Sequence, residues 1–227
     1  MAGAELFSLF QPLALACQEV RLYYVDIAAV PREGWPQLAG CLGAEDWQDM
    51  QRVSAEARRQ ELLLSRGLLR VWLGHGLGMA PAAVPLVRQA GGKWSLPGHR
   101  LHFNVSHSGG VWVCALGEGV AVGVDVEQVR PLPRLERLVA RYATPAERQH
   151  WQTGGLGERG FLQLWVAKEA YAKALGTGLR GLLGRLRELD TSQPGAMGLP
   201  GGWQAQWEGF SLGQNYVGAV CWGVIPG

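Results

Sequence analysis

The chain has 227 residues, of which 48% are hydrophobic and 18% charged, and its formal net charge is +2. This composition is typical of a soluble globular protein and too hydrophobic for a disordered chain. The near-neutral charge argues against a protein that binds nucleic acid or an anionic membrane surface, so any anion site must be local.

The cysteines are not arranged in CxxC pairs, which argues against a zinc site or a disulfide framework. They are Cys17, Cys41, Cys114 and Cys221. The leucine-rich segment 1–18 lacks a basic region, carries Glu5 and is interrupted by Pro12, so we do not expect an export signal. No apolar run is long enough to span a bilayer, and we expect a cytoplasmic protein with reduced thiols.

The first half of the chain predicts one strand, a helical region and three further strands. The alternation over 19–26 indicates the first strand, and a loop rich in Pro and Gly follows over 31–40. Residues 44–77 are predicted to be helical, as two helices that meet near Ser54, which is placed to cap the second; Gly76 and Gly78 end it. Strands are predicted over 84–89, 101–108 and 111–116, with glycine pairs at 91–92 and 109–110 marking turns.

The segment VAVGVDVEQVR, residues 120–130, has the period of a strand. One face carries only valine, while the other carries Ala121, Gly123, Asp125 and Glu127. Two like charges on one strand face repel unless a cation lies between them, and the small residues beside them leave room for a bulky ligand. A metal ion carrying a phosphate fits this pattern. So does a strand that ends in solvent, and the residues alone leave both interpretations open.

The second half of the chain predicts two helices and two strands. A capping box with proline at the first helical position spans 144–147, and a longer helix over 158–175 ends at Gly176. Glu169 and Lys173 are four residues apart and share one face of this helix. This spacing is typical of a surface ion pair, and a lysine is also suited to a phosphate site, so both interpretations stay open. Final strands are predicted over 203–210 and 216–224.

The order of elements in the second half repeats that of the first half, and Cys114 and Cys221 occupy comparable places in it. The pattern indicates a duplicated α+β unit, divided as residues 1–118 and 119–227.

Three motifs point to one family: FNVSHSGG at 103–110, GVDVE at 123–127 and WVAKEAYAKALGTGL at 165–179. In this order and spacing they resemble the three signatures of the 4′-phosphopantetheinyl transferases of the long, surfactin-synthetase-activating type. SRGLLR at 65–70 and RQAGGK at 88–93 extend the resemblance over most of 52–179. The resemblance implies a pseudo-dimer of two similar α+β halves, each a small, mostly antiparallel sheet packed on helices, with the active site at their interface.

The activity that the resemblance implies is transfer of the 4′-phosphopantetheine arm of coenzyme A to a serine of an apo acyl or peptidyl carrier protein. The product would be holo carrier protein, with release of 3′,5′-adenosine bisphosphate. The implied metal is Mg²⁺, with Mn²⁺ as the alternative. We expect a monomer whose partners are coenzyme A and carrier proteins of fatty-acid, polyketide or nonribosomal-peptide synthesis.

Residue roles follow from the motif positions. The implied magnesium ligands are Asp125, Glu127 and Glu169. Lys173 resembles the lysine beside the pyrophosphate and would assist the leaving group, while Glu169 is the expected base and Glu127 the alternative. The implied contacts to the 3′-phosphate are Arg52, Arg88 and His107, with Ser106 adjacent and Arg66 contributing charge. Lys93 matches a lysine that lies against the adenine.

Two positions depart from the family pattern or are insecurely aligned. Trp94 replaces the proline that follows the family lysine, so the indole is a candidate to stack on the adenine. Arg52 lies in a stretch without a landmark, and Arg58 or Arg59 could take its place.

The sequence also predicts roles for Lys168 and for the loop that follows Glu127. Lys168 falls on the apolar stripe of its helix, so we expect its stem to pack there and its ammonium group to reach a carboxylate or carbonyl. The loop 128–134 combines apolar residues with arginines next to Glu127 and is the expected surface for an acidic carrier protein.

Two other function classes remain as alternatives. A magnesium-dependent nucleotide hydrolase or kinase would explain the acidic and basic residues, but the GxxxxGK[ST] loop is absent. A non-catalytic module that binds coenzyme A or carrier protein would be expected to have lost a carboxylate or Lys173, and all are present.

Overall fold

The structure, a computed structural model, describes residues 6–89, 92–177, 181–182, 185–192, 195–199 and 202–224. The strands are β1 (Gln11–Leu13), β2 (Val20–Asp26), β3 (Val87–Arg88), β4 (Trp94–Ser95), β5 (Leu101–Ser108), β6 (Val111–Glu118), β7 (Ala121–Gln128), β8 (Gly195–Gly198), β9 (Gln204–Leu212) and β10 (Tyr216–Gly223). The α-helices are α1 (Trp35–Gly40), α2 (Ala44–Gln51), α3 (Glu56–Leu77), α4 (Leu135–Tyr142), α5 (Pro145–Gly154) and α6 (Gly157–Leu175).

The strands form two antiparallel sheets of four strands and one small hairpin. The first sheet has the order β1-β2-β6-β5 and the second β7-β10-β9-β8, while β3 pairs with β4 alone. All pairings within them are antiparallel. The predicted fold class, α+β with antiparallel sheets packed on helices, is confirmed.

The long helices lie on the outer faces of the two sheets. Leu69 and Trp72 of α3 share a core with Val25 and Trp112 of the first sheet. Helix α6 packs in the same way on the second sheet, where its buried residues share a core with β10. The inner faces of the sheets pack on each other, and the valine face of β7 (Val122, Val124 and Val126) is part of that shared core. The layers are therefore helix, sheet, sheet, helix.

A strand, a long helix and a hairpin recur in the same order in both parts of the chain. The first set is β2, α3 and β5–β6, and the second is β7, α6 and β9–β10, with strand orders β2-β6-β5 and β7-β10-β9. This recurrence is what the duplication hypothesis requires. The pseudo-dimer itself and its division at residue 118 stay predictions.

Several local predictions are confirmed. Thr144 and Glu147 form the reciprocal capping box of α5. Helices α3 and α6 both end at a left-handed glycine, Gly78 and Gly176. The turn at Gly109 and Gly110 joins β5 to β6 with both residues at positive φ, a conformation that favours glycine. The other predicted turn includes Gly91, which lies outside the described residues.

Other local predictions are wrong. Ala55, not Ser54, precedes α3, and no side chain caps that helix. The strand predicted over 84–89 is reduced to Val87–Arg88, because only the short β4 pairs with it. A helix, α1, lies in the predicted loop over 31–40 with Pro36 in its first turn, where a missing amide costs nothing. Helix α4 and strands β1 and β8 were not predicted.

None of the helices in the described ranges is both long and apolar enough to cross a bilayer.

Candidate active site

A cluster of polar side chains lies where β5, β7 and the end of α6 meet. Lys173 Nζ on α6 is 2.7 Å from Asp125 Oδ1 on β7, and Ser106 Oγ on β5 donates to the same carboxylate oxygen at 2.7 Å. Lys173 Nζ is also 3.0 Å from Ser106 Oγ. The side chain of Asp125 is only 9% exposed, so its charge depends on these two donors. The structure thus brings together one residue from each of the three sequence motifs.

The outer edge of β7, opposite β10, bonds to side chains of β5 and does not form a backbone ladder with another described strand. As the edge strand of the second sheet, β7 has outward amides that need partners. Asn104 Oδ1 accepts from the Val124 amide at 3.0 Å, and Ser108 Oγ accepts from the Gln128 amide at 3.2 Å. Ser108 Oγ also lies 2.8 Å from Glu127 Oε2, to which it donates. We call this contact between β5 and β7 the seam.

Sequence reasoning missed Asn104 and Ser108. A signal for them existed, because Asn104, Ser106 and Ser108 alternate along one strand and therefore share a face. Polar side chains on one face of an apolar strand must find partners, and here the partners belong to β7.

Glu169 lies close enough to both β7 carboxylates to be affected by their charge. The pKa of Glu169 is raised to about 7, mainly by burial and also by repulsion from Asp125 and Glu127, while Lys173 acts in the opposite direction. The three predicted magnesium ligands therefore face one region, and a cation there would relieve their repulsion.

The fit of a divalent metal rests on the chemistry of these donors. Carboxylate oxygens suit Mg²⁺. In the part of the chain that the structure describes, however, no three His, Cys, Asp or Glu side chains are grouped as a ready metal site. Lys173 neutralises Asp125 at 2.7 Å. The donor types fit Mg²⁺, and the arrangement is not preassembled for it.

A cavity of about 470 Å³ opens beside the cluster, between α3, the β3–β4 hairpin and β5. Its lining combines apolar residues with basic ones, namely Arg58, Arg66, Lys93, His107 and Lys173. Burial lowers the pKa of His107, and the charge of Arg58 lowers it further. The cavity can accept an anionic ligand that extends toward Lys173 and Asp125.

The predicted 3′-phosphate residues fall into two groups. Arg66 and His107 line the cavity. Arg88 is exposed and does not line the cavity; it forms an ion pair with Asp49 and lies over the Trp94 ring. Arg52 is 75% exposed and 3.8 Å from Asp49, and it does not line the cavity.

Of the two alternatives to Arg52 that the sequence left open, only Arg58 lies at the cavity. Arg58 lines the cavity and also forms an ion pair with Glu61 at 2.7 Å. Arg59, the other alternative, pairs with Glu56 and is not among the lining residues.

Lys93 connects the β3–β4 hairpin to the end of α6. Its Nζ donates to the carbonyl oxygens of Lys173 at 3.0 Å, Val122 at 3.2 Å and Ala174 at 3.4 Å. Carbonyls at the end of a helix lack partners within the helix, and a lysine satisfies them. Burial lowers the pKa of Lys93 to about 8. Contact with an adenine stays a prediction.

The room expected beside Gly123 is filled by α6. A Cβ at this position would overlap the Ala170 carbonyl oxygen and the Ala174 amide nitrogen. The glycine therefore allows α6 to approach β7, and the expectation that it leaves space for a ligand is wrong. Close packing at this point is what brings Lys173 to Asp125.

Lys168 is fully buried, and its ammonium group reaches a carboxylate and backbone carbonyls, as expected. Its Nζ donates to Glu147 Oε2 at 2.7 Å and to the carbonyls of Tyr142 and Leu186, both at 2.8 Å. These bonds join α6 to the end of α4, the start of α5 and the segment 185–192. Burial lowers its pKa, and Glu147 opposes that effect.

Comparison with known proteins assigns the family. The model of the 4′-phosphopantetheinyl transferase superfamily matches residues 121–221. The chain is 32% identical over 174 residues to the 4′-phosphopantetheinyl transferase HetI of Nostoc sp., over 74% of this chain and 73% of that protein. A relative from Synechocystis sp. is 30% identical over 66% of this chain and 63% of its own length. The 4′-phosphopantetheinyl transferase of Bacillus subtilis is 27% identical over 63% of this chain and 64% of its own length. The chain belongs to the 4′-phosphopantetheinyl transferase superfamily.

Proposed function

We propose that this protein transfers the 4′-phosphopantetheine arm of coenzyme A to a serine hydroxyl of an apo carrier protein. The observation that carries the proposal is the cluster of Lys173, Asp125 and Ser106 at the seam, with Glu169 beside it and a cationic cavity next to it. Coenzyme A is an extended anion with a diphosphate and a separate ribose phosphate, and a cavity lined by Arg58, Arg66 and Lys173 complements it.

The reaction forms one P–O bond and breaks another. The carrier serine oxygen attacks the phosphorus that bears the pantetheine arm, and the bond from that phosphorus to the bridging oxygen of the diphosphate breaks. The leaving group is 3′,5′-adenosine bisphosphate, and the serine proton passes to a carboxylate. Such a transfer requires in-line positioning and neutralisation of phosphate charge more than covalent help from the protein.

The side chains of the cluster divide this work. Lys173 Nζ, held by Asp125, offers positive charge to the phosphate oxygens of the leaving group. Glu169 is the proposed proton acceptor, with Glu127, bound by Ser108, as the alternative. Asp125, Glu127 and Glu169 would hold Mg²⁺, which supplies charge neutralisation at the diphosphate when bound.

The proposed surface for the carrier protein begins where β7 ends. Arg130, Arg134, Arg137 and Arg141 are exposed along the loop and helix α4. Arg134 has a positive φ of 61° and directly precedes α4, and Leu135 and Leu138 are partly buried beside it. Carrier domains are acidic helical proteins, so a row of arginines with apolar neighbours complements one, and its position after Glu127 brings the carrier serine toward the cluster.

The deciding experiment measures the mass of a carrier protein. We expect apo carrier incubated with this protein, coenzyme A and Mg²⁺ to gain the mass of one phosphopantetheine group, and a sample with chelator to gain none. Absence of the increment with apo acyl and apo peptidyl carriers alike would favour a protein that binds without turnover.

A further inference from the structure

Trp94 stands where the resemblance to the family places a proline, and its indole contacts two arginines. The guanidinium carbon of Arg66 lies 4.7 Å from the ring centroid and that of Arg88 lies 5.0 Å from it. The ring is only 7% exposed, so these contacts leave little of it for a nucleobase. The suggestion that the indole stacks on adenine therefore loses support.

The hairpin and α3 bring the three side chains together. Arg88 and Trp94 are directly opposite each other in the β3–β4 ladder, and cross-strand partners project to the same side. Arg66 reaches the ring from α3, and both Arg66 and Trp94 line the cavity beside the cluster. Guanidinium groups pack well on an indole, which restricts their motion and fixes their direction.

Two acidic residues of α2 restrain the same arginines from another direction. Asp49 forms an ion pair with Arg88, and the fully buried Asp46 lies 3.9 Å from Arg66 Nε. The charge of Arg88 also lowers the pKa of Arg66, beyond the larger effect of burial, so the two cations are close enough to repel. A dianion between or beside them would relieve that repulsion.

We propose that Trp94 is a positioning residue that holds Arg66 and Arg88 as a pair for the ribose 3′-phosphate of coenzyme A. The inference rests on the proposed function, which places the diphosphate of coenzyme A at the cluster around Lys173. The phosphate monoester is the remaining dianion of the ligand. Arg66 and Trp94 line the same cavity, and Arg88 packs on the Trp94 ring next to it. Paired guanidinium groups are suited to such a dianion.

The test compares coenzyme A with 3′-dephospho-coenzyme A, which lacks only that phosphate. We expect calorimetry to give the wild-type protein an affinity at least about tenfold higher for coenzyme A. Trp94→Leu should reduce this ratio to within about twofold, and Trp94→Phe, which keeps an aromatic ring, should retain most of it. Should Trp94→Leu fail to fold, Trp94→Met, whose flexible side chain fills irregular space, replaces it.

Trp72→Leu is the matched control. Trp72 is 6% exposed, belongs to the same hydrophobic core, and its Nε1, like that of Trp94, has no hydrogen-bond partner in the described part of the chain. Its ring packs on Tyr23, and among the described residues no arginine lies over it. We expect Trp72→Leu to lower the melting temperature while keeping the wild-type affinity ratio.

The outcomes separate this inference from the proposed function. A wild-type ratio near one, or a ratio unchanged in Trp94→Leu or lost equally in Trp72→Leu, would overturn the positioning role. If the ratio changes as expected but no carrier protein gains mass, the role of Trp94 stands and the transfer activity does not.

Discussion

Lys173 and Asp125 form an ion pair of 2.7 Å that joins the end of α6 to the edge of β7. Lys173 Nζ also donates to the Val124 carbonyl at 3.1 Å, so the ammonium group is fixed at the strand edge. Its side chain is 26% exposed and lines the cavity beside the cluster. One lysine can therefore hold Asp125 in place and face a phosphate.

The first prediction concerns the two α6 residues of the cluster. Lys173→Ala and Glu169→Gln should each lower kcat for phosphopantetheine transfer by about 100-fold or more. The first removes the positive charge that stabilises the leaving group, and the second removes the proton acceptor. The rate is measured from the mass of the carrier protein over time. Circular dichroism should show that both variants remain folded.

Glu158→Gln, in the first turn of the same helix, is the control for these variants. It should keep the wild-type rate. Wild-type rates in both Lys173→Ala and Glu169→Gln would refute the roles proposed for them.

The second prediction tests the close approach of α6 to β7. Gly123→Ala should destabilise the protein by about 2–4 kcal/mol, because its Cβ overlaps the backbone of α6, which can move only as a unit. Gly209→Ala on β9 is the matched control, since its Cβ would meet Trp207 at 3.7 Å, an ordinary contact. Urea denaturation of both variants measures the difference, and equal stability would show that α6 does not require the glycine.

The third prediction is a pH dependence at Lys93. Its pKa is about 8 in the folded protein, whereas the ordinary pKa of a lysine side chain exposed to water is 10.5. Between these values the unfolded chain binds more protons, so stability rises with pH. Compared with Lys93→Met, the wild-type free energy of unfolding should increase by about 1 kcal/mol from pH 7 to pH 9. A difference that stays constant or falls over this range would contradict the lowered pKa.

The sequence predicts the elements that carry strong local signals. The capping box at Thr144 and Glu147, and the glycine ends of α3 and α6, are local patterns that the fold preserves. The alternation of valine with small and acidic residues on β7 predicts which face packs on the other sheet. It does not predict that the opposite face is buried as well, under α6. Helix α4 has eight residues and follows the segment RPLPR, so its own periodicity is too short to outweigh the two prolines.

The sequence predicts the candidate site less completely, because its contacts join distant segments. Lys93 bonds carbonyls 29, 80 and 81 residues away, and no local pattern encodes such partners. The role of Gly123 is not predictable from sequence for the same reason, since the space beside it is decided by where α6 packs. Motif order predicts Asp125, Glu169 and Lys173 as site residues, but only the structure relates Trp94 to Arg66 and Arg88.

The last prediction concerns the arginines after β7. Arg130→Glu and Arg134→Glu should each raise KM for the carrier protein by about threefold to tenfold and leave KM for coenzyme A unchanged, because both side chains are exposed and outside the cavity lining. The effect should diminish at high salt, since exposed charges are screened. Arg187→Glu, another exposed arginine, is the control for a general change in net charge. If all three variants raise KM for the carrier equally, the attraction is a property of the whole protein; if none does, the carrier docks on a different face.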